Sequence, residues 1–274
     1  MKRLLYVLAL VPALALAQPP RPQGGPKPPP PPPAAASAAS AVPMDENAPR
    51  DPNKFAALSL LGDNVQLLSL TPARGDTVQT GEWKAAPAGG LDNAVLQALN
   101  QALKAGDGKR EVKLYTSSTR SLYGDPAALF VDGKLALPGN LAAAVRSGGA
   151  ARLLLVTRSR QAPDLAAALP APILASLEGP GFVLDQRPGG QIGFDGQAGL
   201  PVFAPYLSVR VALVDLDDLR LKREQSLAVA SRLAVAREAA ANPWAATSPE
   251  QRVQALEALI EAELPKAVAA LVAP

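Results

Sequence analysis

Two acidic side chains, Glu178 and Asp185, lie in the glycine-rich segment LEGPGFVLDQRPGGQIGFDG and could act together. Hydrolysis of a glycosidic bond needs such a pair, with the two carboxyl groups held about 5 to 10 Å apart. The alternative is structural: Glu178 would accept backbone N–H groups in a tight turn, and Asp185 would end a strand. The structural interpretation is favoured, because spacing along one sequence does not establish that two carboxylates converge.

Histidine and cysteine are absent from all 274 positions. Their absence excludes Ser-His-Asp and Cys-His arrangements, imidazole and thiolate metal sites, and the commonest general base at neutral pH. No phosphate-binding glycine motif is complete, and no S-x-x-K motif precedes a helix. The sequence therefore predicts a protein that is not an enzyme, with no catalytic residue, no cofactor and no metal site.

Two arginines, Arg158 and Arg160, close the segment ARLLLVTRSR and could bind an anion, with Arg120 as a third candidate. A guanidinium group suits this role because its planar N–H donors match a carboxylate or phosphate. Arginines at strand ends are more often solvated, and that is the favoured alternative. The two arginines remain candidates for a ligand site.

Aromatic side chains make up only 4% of the chain. Phe203, Tyr206 and Trp244 would anchor a partner if they were exposed. The favoured interpretation is that each belongs to the core or covers it. The candidate interaction or ligand site comprises Arg158, Arg160, Glu178, Phe182, Asp185, Phe203 and Tyr206.

The first half of the chain predicts strands alternating with helices. FAALSLLGDNVQLLSL reads as a hairpin around Gly62-Asp63-Asn64, and TPARGDTVQTGEWKAAPAGG as a loop. Asp92 is predicted to cap a helix that Gly106 ends. EVKLYTSS is a strand, YGDPAALFVDGKLALPG a loop, and a short helix runs from near Pro138 to Gly148. ARLLLVTRSR has the continuous apolar run of a buried strand.

The second half predicts antiparallel structure. The glycine-rich segment suits a long hairpin or an ordered loop. YLSVRVALVDL and LRLKREQSLAVAS alternate apolar and polar residues, which predicts a long hairpin with one wetter face. Asp215, Asp217 and Asp218 near its tip could suggest a cation site, but they are more typical of a surface turn. The Ser248–Gln251 capping box starts an amphipathic C-terminal helix, which Pro265 should kink or divide.

These elements predict an α/β fold, an α+β mixed-sheet sandwich. We expect a central mixed sheet with an N-terminal hairpin, two helices, a long antiparallel C-terminal hairpin and a C-terminal amphipathic helix. Residues 54–274 read as one domain of this type.

The segment MKRLLYVLALVPALALA combines Lys2 and Arg3 with a short apolar run and ends in the small-x-small motif Ala15-Leu16-Ala17. This predicts an export signal over residues 1–17, cleaved after Ala17, with an uncleaved anchor as the alternative. No other segment could span a membrane. Without cysteine no lipid can be attached there, so we expect a periplasmic protein that is not a lipoprotein.

Residues 18–53 are rich in proline and alanine and include a run of six prolines. They predict a disordered arm with a stiff polyproline II stretch, which could reach on the order of 100 Å. The arm is either a spacer or a low-complexity extension without a partner. The precursor has 27 basic and 24 acidic residues. Removing Lys2 and Arg3 leaves a charge near neutrality, which excludes a nucleic-acid partner.

Three blocks, LLLVTRSR, LEGPGFVLD and FAPYLSVRVALVDLDD, resemble those of a group of uncharacterised exported proteins of Gram-negative bacteria. The resemblance covers most of residues 55–264 and implies no activity. In architecture alone, the chain is similar to the amino-terminal domain of TolB, the curli-secretion lipoprotein and the lipoprotein activators of peptidoglycan synthases.

In those activators a disordered, proline-rich tail carries an α/β domain from a lipid anchor to its partner. This chain lacks the lipidated cysteine, so its arm would work from a retained signal helix or as a binding arm. We therefore expect a non-enzymatic cell-envelope binding or assembly module that contacts another envelope protein. The alternatives are a carboxylate-dependent hydrolase of an envelope glycan, acting through Glu178 and Asp185, and a small-ligand carrier.

Overall fold

The computed structural model describes residues 50–71, 77–84, 90–161, 176–187, 199–234 and 242–273. The strands are β1 (Asp51–Leu60), β2 (Asn64–Thr71), β3 (Thr77–Lys84), β4 (Glu111–Tyr115), β5 (Phe130–Val131), β6 (Lys134–Leu135), β7 (Ala150–Arg158), β8 (Arg160–Gln161), β9 (Leu177–Asp185), β10 (Val202–Asp215) and β11 (Leu221–Ala230). The helices are α1 (Gly90–Gly106), α2 (Gly139–Arg146), α3 (Pro243–Ala246) and α4 (Pro249–Val272). Two 3-10 turns lie at Arg120–Tyr123 and Pro126–Leu129.

Nine of the strands form one mixed sheet in the order β3-β2-β9-β10-β7-β1-β4, with β11 paired to β10 and β8 to β9. β1 is parallel to both β4 and β7, and β2 is parallel to β9. The other strand pairs are antiparallel, including the small β5–β6 hairpin. The expected α/β class with a central mixed sheet is confirmed.

The sheet divides along β10. One edge of β10 pairs with β11 over Tyr206–Val214. The other edge pairs first with β9, over Val202–Ser208, and then with β7, over Val209–Asp215. Because β9 and β7 follow one another along the same edge, the sheet branches between Ser208 and Val209. We call this branch the fork.

One face of the sheet packs against α1 and α4. The predicted apolar face of β10 is confirmed, since Leu207, Val209, Val211 and Leu213 all lie in this cluster. The helices contribute residues at helical spacing: Leu91, Val95, Leu99 and Leu103 from α1, and Leu256, Ile260, Leu264 and Val268 from α4. Burying one such side chain stabilises the fold by about 1.5–3 kcal/mol.

The opposite face of the β7–β1–β4 branch is covered by short elements. Val145 of α2, Leu122 and Leu129 of the 3-10 turns, and Leu135 of β6 pack there against β1 and β7. The segment around Asp125 was predicted as a loop, but it forms the two 3-10 turns and the β5–β6 hairpin. Alternate apolar residues in this short stretch are enough to cover the sheet.

The predicted hairpin between β1 and β2 is wrong, because β1 pairs with β4 and β7 whereas β2 pairs with β3 and β9. β1 is buried on both faces from Phe55 to Leu60, as expected of an interior parallel strand. The segment TPARGDTVQTGEWKAAPAGG was predicted as a loop, but its residues Thr77–Lys84 form β3. The first hairpin of the fold is therefore β2–β3.

Three predictions about element ends are resolved by the structure. The Ser248 capping box is confirmed, and α4 continues through Pro265 to Val272, so the predicted division of this helix is wrong. The kink at Pro265 stays a prediction. Helix α1 begins at Gly90, so Asp92 lies inside its first turn and the predicted cap at Asp92 is wrong. The carboxylate of Asp92 has other partners, described below.

The glycine-rich segment supplies a strand in the middle of the sheet. Its first nine residues form β9, and residues 188–198 of this region lie outside the described part of the chain. Strand β1 starts at Asp51, three residues before the predicted domain boundary at residue 54. The predicted signal and the arm up to residue 49 also lie outside the described residues. Within the described ranges, no helix is both long enough and apolar enough to cross a bilayer.

Candidate functional site

A cleft of about 390 Å³ opens at the fork of the sheet. The described residues that line it are Asn64, Val65, Gln66, Gly81, Arg158, Arg160 and Glu178. These residues come from the carboxyl end of β7, the amino ends of β2 and β9, β8, and the middle of β3. Ligands of open α/β sheets bind outside the carboxyl ends of strands where the strand order switches, and the carboxyl end of β7 borders this cleft. The volume suits a small ligand. We call this site the fork cleft.

The fork cleft brings together three of the seven predicted site residues, Arg158, Arg160 and Glu178. Pairing of β8 with β9 places Arg160 directly opposite Glu178. Arg120, the third arginine considered for an anion site, is exposed and does not line the cleft. The sequence could suggest the two neighbouring arginines, but not their meeting with Glu178.

Arg158 is held in the cleft by two backbone carbonyl groups. Its Nε donates to the Leu61 carbonyl at 2.8 Å, and its Nη2 donates to the Asn64 carbonyl at 2.9 Å. The aliphatic part of its side chain packs over Gly179, where an added Cβ atom would lie 3.1 Å from the Arg158 Cγ. No carboxylate of the described residues forms an ion pair with Arg158. Among the described residues, the guanidinium is therefore fixed by carbonyl groups and not by an ion pair.

Arg160 and Glu178 form an ion pair on the rim of the cleft. The Glu178 Oε2 accepts from the Arg160 Nη2 at 3.0 Å and from its Nε at 3.1 Å. The Arg160 side chain is 74% exposed and that of Glu178 is 31% exposed. An exposed pair of this kind contributes about 1 kcal/mol or less, so a ligand can displace it at small cost. With Arg158, the three charged side chains carry one net positive charge.

Asp92 holds the turn that positions Arg158. Its carboxylate accepts from the Ser59 hydroxyl at 2.6 Å, the Leu61 N–H at 2.9 Å and the Gly62 N–H at 3.2 Å. Burial raises the pKa of Asp92, and these hydrogen bonds offset part of that rise. Tyr123, in the 3-10 turn Arg120–Tyr123, lies near Asp92. Burial and the charge of Asp92 raise the pKa of Tyr123 to about 12. Asp92 thus fixes the Leu61 carbonyl that receives Arg158.

Sequence reasoning missed this role of Asp92. Ser59 and Leu61 lie 33 and 31 residues before it in the chain. The only sequence signal was an acidic residue near the start of an apolar helix, which is typical of a helix cap. Nothing local distinguishes a carboxylate that caps its own helix from one that binds a distant turn.

Tyr206 lies inside the fold and supports the wall of the cleft. Its hydroxyl donates to the Gln66 Oε1 at 2.6 Å, and its side chain is fully buried. Burial raises the pKa of Tyr206, so the hydroxyl stays neutral and remains a donor. Opposite it, a Cβ atom on Gly181 would lie 2.2 Å from the Tyr206 Cζ, so that position needs glycine. Tyr206 is a supporting residue and not an exposed anchor.

Phe182 and Phe203 belong to the core. Their rings stack at 5.1 Å between centroids, and both meet the ring of Trp244 edge-on at 5.8 and 6.1 Å. Phe182 and Phe203 are almost completely buried. The Arg252 guanidinium lies 3.9 Å from the Trp244 ring centroid. The proposed interface role of Phe182 and Phe203 gives way to the core interpretation, because neither ring is accessible to a partner.

Asp185 does not meet Glu178. It is fully buried, and its two oxygens accept from Arg187 at 2.8 Å each. Both acidic residues lie on β9, seven positions apart, so their Cα atoms are roughly 23 Å apart and their side chains leave from opposite faces. A pair that hydrolyses a glycoside needs about 5 to 10 Å between its carboxyl groups. The proposed pairing of Glu178 with Asp185 therefore does not form.

The aspartates near the β10–β11 tip pair with basic side chains. Asp217 meets Arg50 at 2.7 Å, Asp215 meets Lys222 at 3.3 Å, and Asp218 meets Arg220 at 3.7 Å. Asp215 and Asp218 also accept backbone N–H groups two residues ahead. Across the ranges that the structure describes, no group of three or more acidic side chains is placed to hold a metal ion. The surface-turn interpretation explains these contacts.

No family model matches the chain, and no curated protein matches it. Seven chains of solved structures match. One is a crystal structure of a Xanthomonas campestris protein assigned to the DUF330 family model, with 12% sequence identity and a TM-score of 0.34. That match covers 78% of this chain and 83% of the Xanthomonas chain. The function is therefore inferred from the fork cleft itself.

Proposed function

We propose that this protein is a non-enzymatic binding module of the cell envelope, exported to the periplasm and presented on its proline-rich arm. One observation carries the proposal: Arg158 is fixed by two carbonyl groups in a cleft and has no carboxylate partner among the described residues. A positioned, uncompensated charge in a concave site is a binding feature. A contact with another envelope protein or an envelope component would use it.

The chemistry of the cleft supports binding rather than catalysis. The titratable side chains that line it among the described residues are Arg158, Arg160 and Glu178. Arginine stays protonated in proteins, so neither guanidinium serves as a general base. Glu178 is engaged by Arg160, and Asp185 lies too far away to act with it. These residues can hold and orient a ligand, whereas the two-carboxylate mechanism of a glycan hydrolase would need a second acid.

The first described residue, Arg50, lies at the far end of β1 from the fork cleft. Arg50 pairs with Asp217 at 2.7 Å and donates to the Ala150 carbonyl at 3.2 Å. From there β1 runs ten residues, or about 30 Å, toward the turn that borders the fork cleft. A ligand in the cleft would therefore lie about 30 Å from Arg50.

Affinity capture from envelope extracts tests the proposal. The bait is the mature chain from Gln18, compared with a version in which the six prolines are replaced by a Gly/Ser sequence of equal length. We expect both versions to recover the same specific envelope component from the extract. After crosslinking in intact cells, the flexible version should recover less of that component, because its reach is shorter. Release of fragments from purified envelope glycan by the mature chain would overturn the non-enzymatic assignment. Absence of any specific capture would overturn the binding module.

A further inference from the structure

We infer that the fork cleft binds a free carboxylate at the end of a short peptide, with Arg158 as its anchor and Glu178 as acceptor for the neighbouring N–H group. This inference rests on the proposed function and names the ligand class for the same site. It follows from which donors of Arg158 are already used, from the charges beside it and from the shape of the opening.

The unused edge of Arg158 determines the ligand. A guanidinium has five N–H donors. The Leu61 carbonyl takes the Nε–H, and the Asn64 carbonyl takes one of the two at Nη2. Both donors of Nη1 and one of Nη2 remain, and the described part of the chain offers them no acceptor. These remaining donors form the planar edge that binds a carboxylate through two parallel hydrogen bonds.

The neighbouring charges favour a carboxylate over a phosphate. Glu178 lines the same cleft, so a dianionic phosphate would meet a negative charge beside the guanidinium. A carboxylate carries one negative charge, which matches the net charge of Arg158, Arg160 and Glu178. In a peptide, the N–H group next to the terminal carboxylate gives Glu178 a donor. A simple inorganic anion would leave Glu178 without that contact.

The walls leave room for a chain to lie across the cleft. Gly81 on β3 lines the opening, and no atom of the described residues lies within 4 Å of a Cβ atom placed there. Gln66 on β2 is fixed by the Tyr206 hydroxyl, and Asn64 lies beside it at the rim. Amide side chains of this kind bind the backbone groups of an extended peptide. The cleft is thus polar, open on the β3 side and anchored at Arg158.

The test uses N-acetyl-Ala-Ala as the probe and the mature chain as the protein. Calorimetric titration at constant ionic strength compares this dipeptide with its carboxamide, inorganic phosphate and glucuronate, a carboxylated sugar. We expect saturable binding of the free acid and at least tenfold weaker binding of the carboxamide, because a charge-assisted pair is lost. Phosphate and glucuronate should also bind more weakly. Equal binding of acid and carboxamide would overturn the carboxylate site, and tighter binding of glucuronate or phosphate would overturn its assignment to a peptide.

Three variants locate the binding. Arg158→Lys keeps the charge but loses the planar edge, so it should weaken dipeptide binding at least tenfold. Gly81→Phe places a ring in the opening and should abolish binding while the thermal midpoint stays within a few degrees. Arg220→Lys is the control, because Arg220 lies outside the cleft and pairs with Asp218. Unchanged dipeptide affinity in Arg158→Lys or in Gly81→Phe would overturn the site.

The two proposals fail in different ways. If Arg158→Lys still captures the envelope component in the extract experiment but no variant or wild-type chain binds the dipeptide, the binding module stands and the carboxylate site falls. If the wild-type chain binds the dipeptide as expected but the mature chain captures nothing, the site stands and the envelope-module assignment falls.

Discussion

Two arginines at opposite ends of β1 differ in how their charge is compensated. At the arm end, Arg50 pairs with Asp217 at 2.7 Å, and its side chain is 15% exposed. At the cleft end, the acceptors for Arg158 among the described residues are the Leu61 and Asn64 carbonyls. Carbonyl groups orient a guanidinium but carry no net charge, so they bind it less strongly than a carboxylate and do not cancel its charge. The Arg50 end is therefore a structural ion pair, whereas the Arg158 end carries the charge that the proposed ligand would use.

The largest loss of stability is expected from substitution of Asp92, at the cleft end. Asp92→Ala should lower the free energy of unfolding by about 3 kcal/mol, because the Ser59 hydroxyl and two backbone N–H groups lose their acceptor in a buried turn. Asp92→Asn keeps an acceptor oxygen and should cost about 1 kcal/mol. Urea unfolding followed by circular dichroism measures both. Equal losses in the two variants would show that Asp92 does not hold this turn through its oxygens.

A smaller effect is expected where the stem of Arg158 crosses β9. Gly179 has a φ of +67°, and an added Cβ would lie 3.1 Å from the Arg158 Cγ. Gly179→Ala should therefore cost about 1–2 kcal/mol and also weaken dipeptide binding by displacing Arg158. Gly149→Ala is the matched control, since Gly149 also has a positive φ, of +70°, lies outside the cleft, and has no described atom within 4 Å of its added Cβ. Comparable losses at both positions would remove Gly179 from the support of the cleft.

Substitution at the arm end should lower the free energy of unfolding only slightly. Asp217→Asn removes the charge that pairs with Arg50, in a contact whose acidic side is 72% exposed. We expect a loss below about 1 kcal/mol that shrinks further at 1 M salt, with no change in dipeptide affinity. Chemical unfolding at two salt concentrations, together with the dipeptide titration, measures this. Weaker dipeptide binding in Asp217→Asn would mean that the two ends are not independent.

The smallest effect is a dependence on pH at the cleft end. Because burial raises the pKa of Asp92 above its usual 3.8, the folded state keeps a proton that the unfolded state has lost. This contribution to stability is present below pH 3.8 and is lost as pH rises through the folded pKa. Asp92→Asn cannot titrate, so the difference in unfolding free energy between wild type and variant should fall with rising pH in that window. A difference that rises instead would mean that the pKa of Asp92 is lowered.

The elements that the sequence predicted well are those whose signal is local. The alternation in β10, the spacing of α4 and the Ser248 capping box all follow from neighbouring residues. β3 was missed because TVQTGEWK shows no clear apolar alternation. The partners of β1 were missed because a Gly-Asp-Asn sequence can connect two strands that pair with each other or two strands that lie in different branches of the sheet. The turn residues alone do not distinguish these cases.

The candidate site was predictable only in part, because local sequence signals identify its charged residues but not their contacts. Arg158 and Arg160 stood out as adjacent charges after a buried strand, and Glu178 as an acid in a glycine-rich segment. Their meeting depends on the fork, which needs β10 to change partners between Ser208 and Val209. The support from Asp92 depends on a contact across 31 residues. Neither is encoded in a short stretch of residues.

The most direct measurement is an NMR titration of the arginine side-chain N–H signals with acetate, at an ionic strength kept constant with chloride. Arg158→Lys and Arg50→Lys assign the two Nε–H resonances. We predict that the Arg158 resonance shifts and saturates as acetate is added, while the Arg50 resonance, already paired with Asp217, stays in place. An Arg158 resonance that does not respond, or that moves in parallel with that of Arg50, would contradict a charge kept free for a carboxylate.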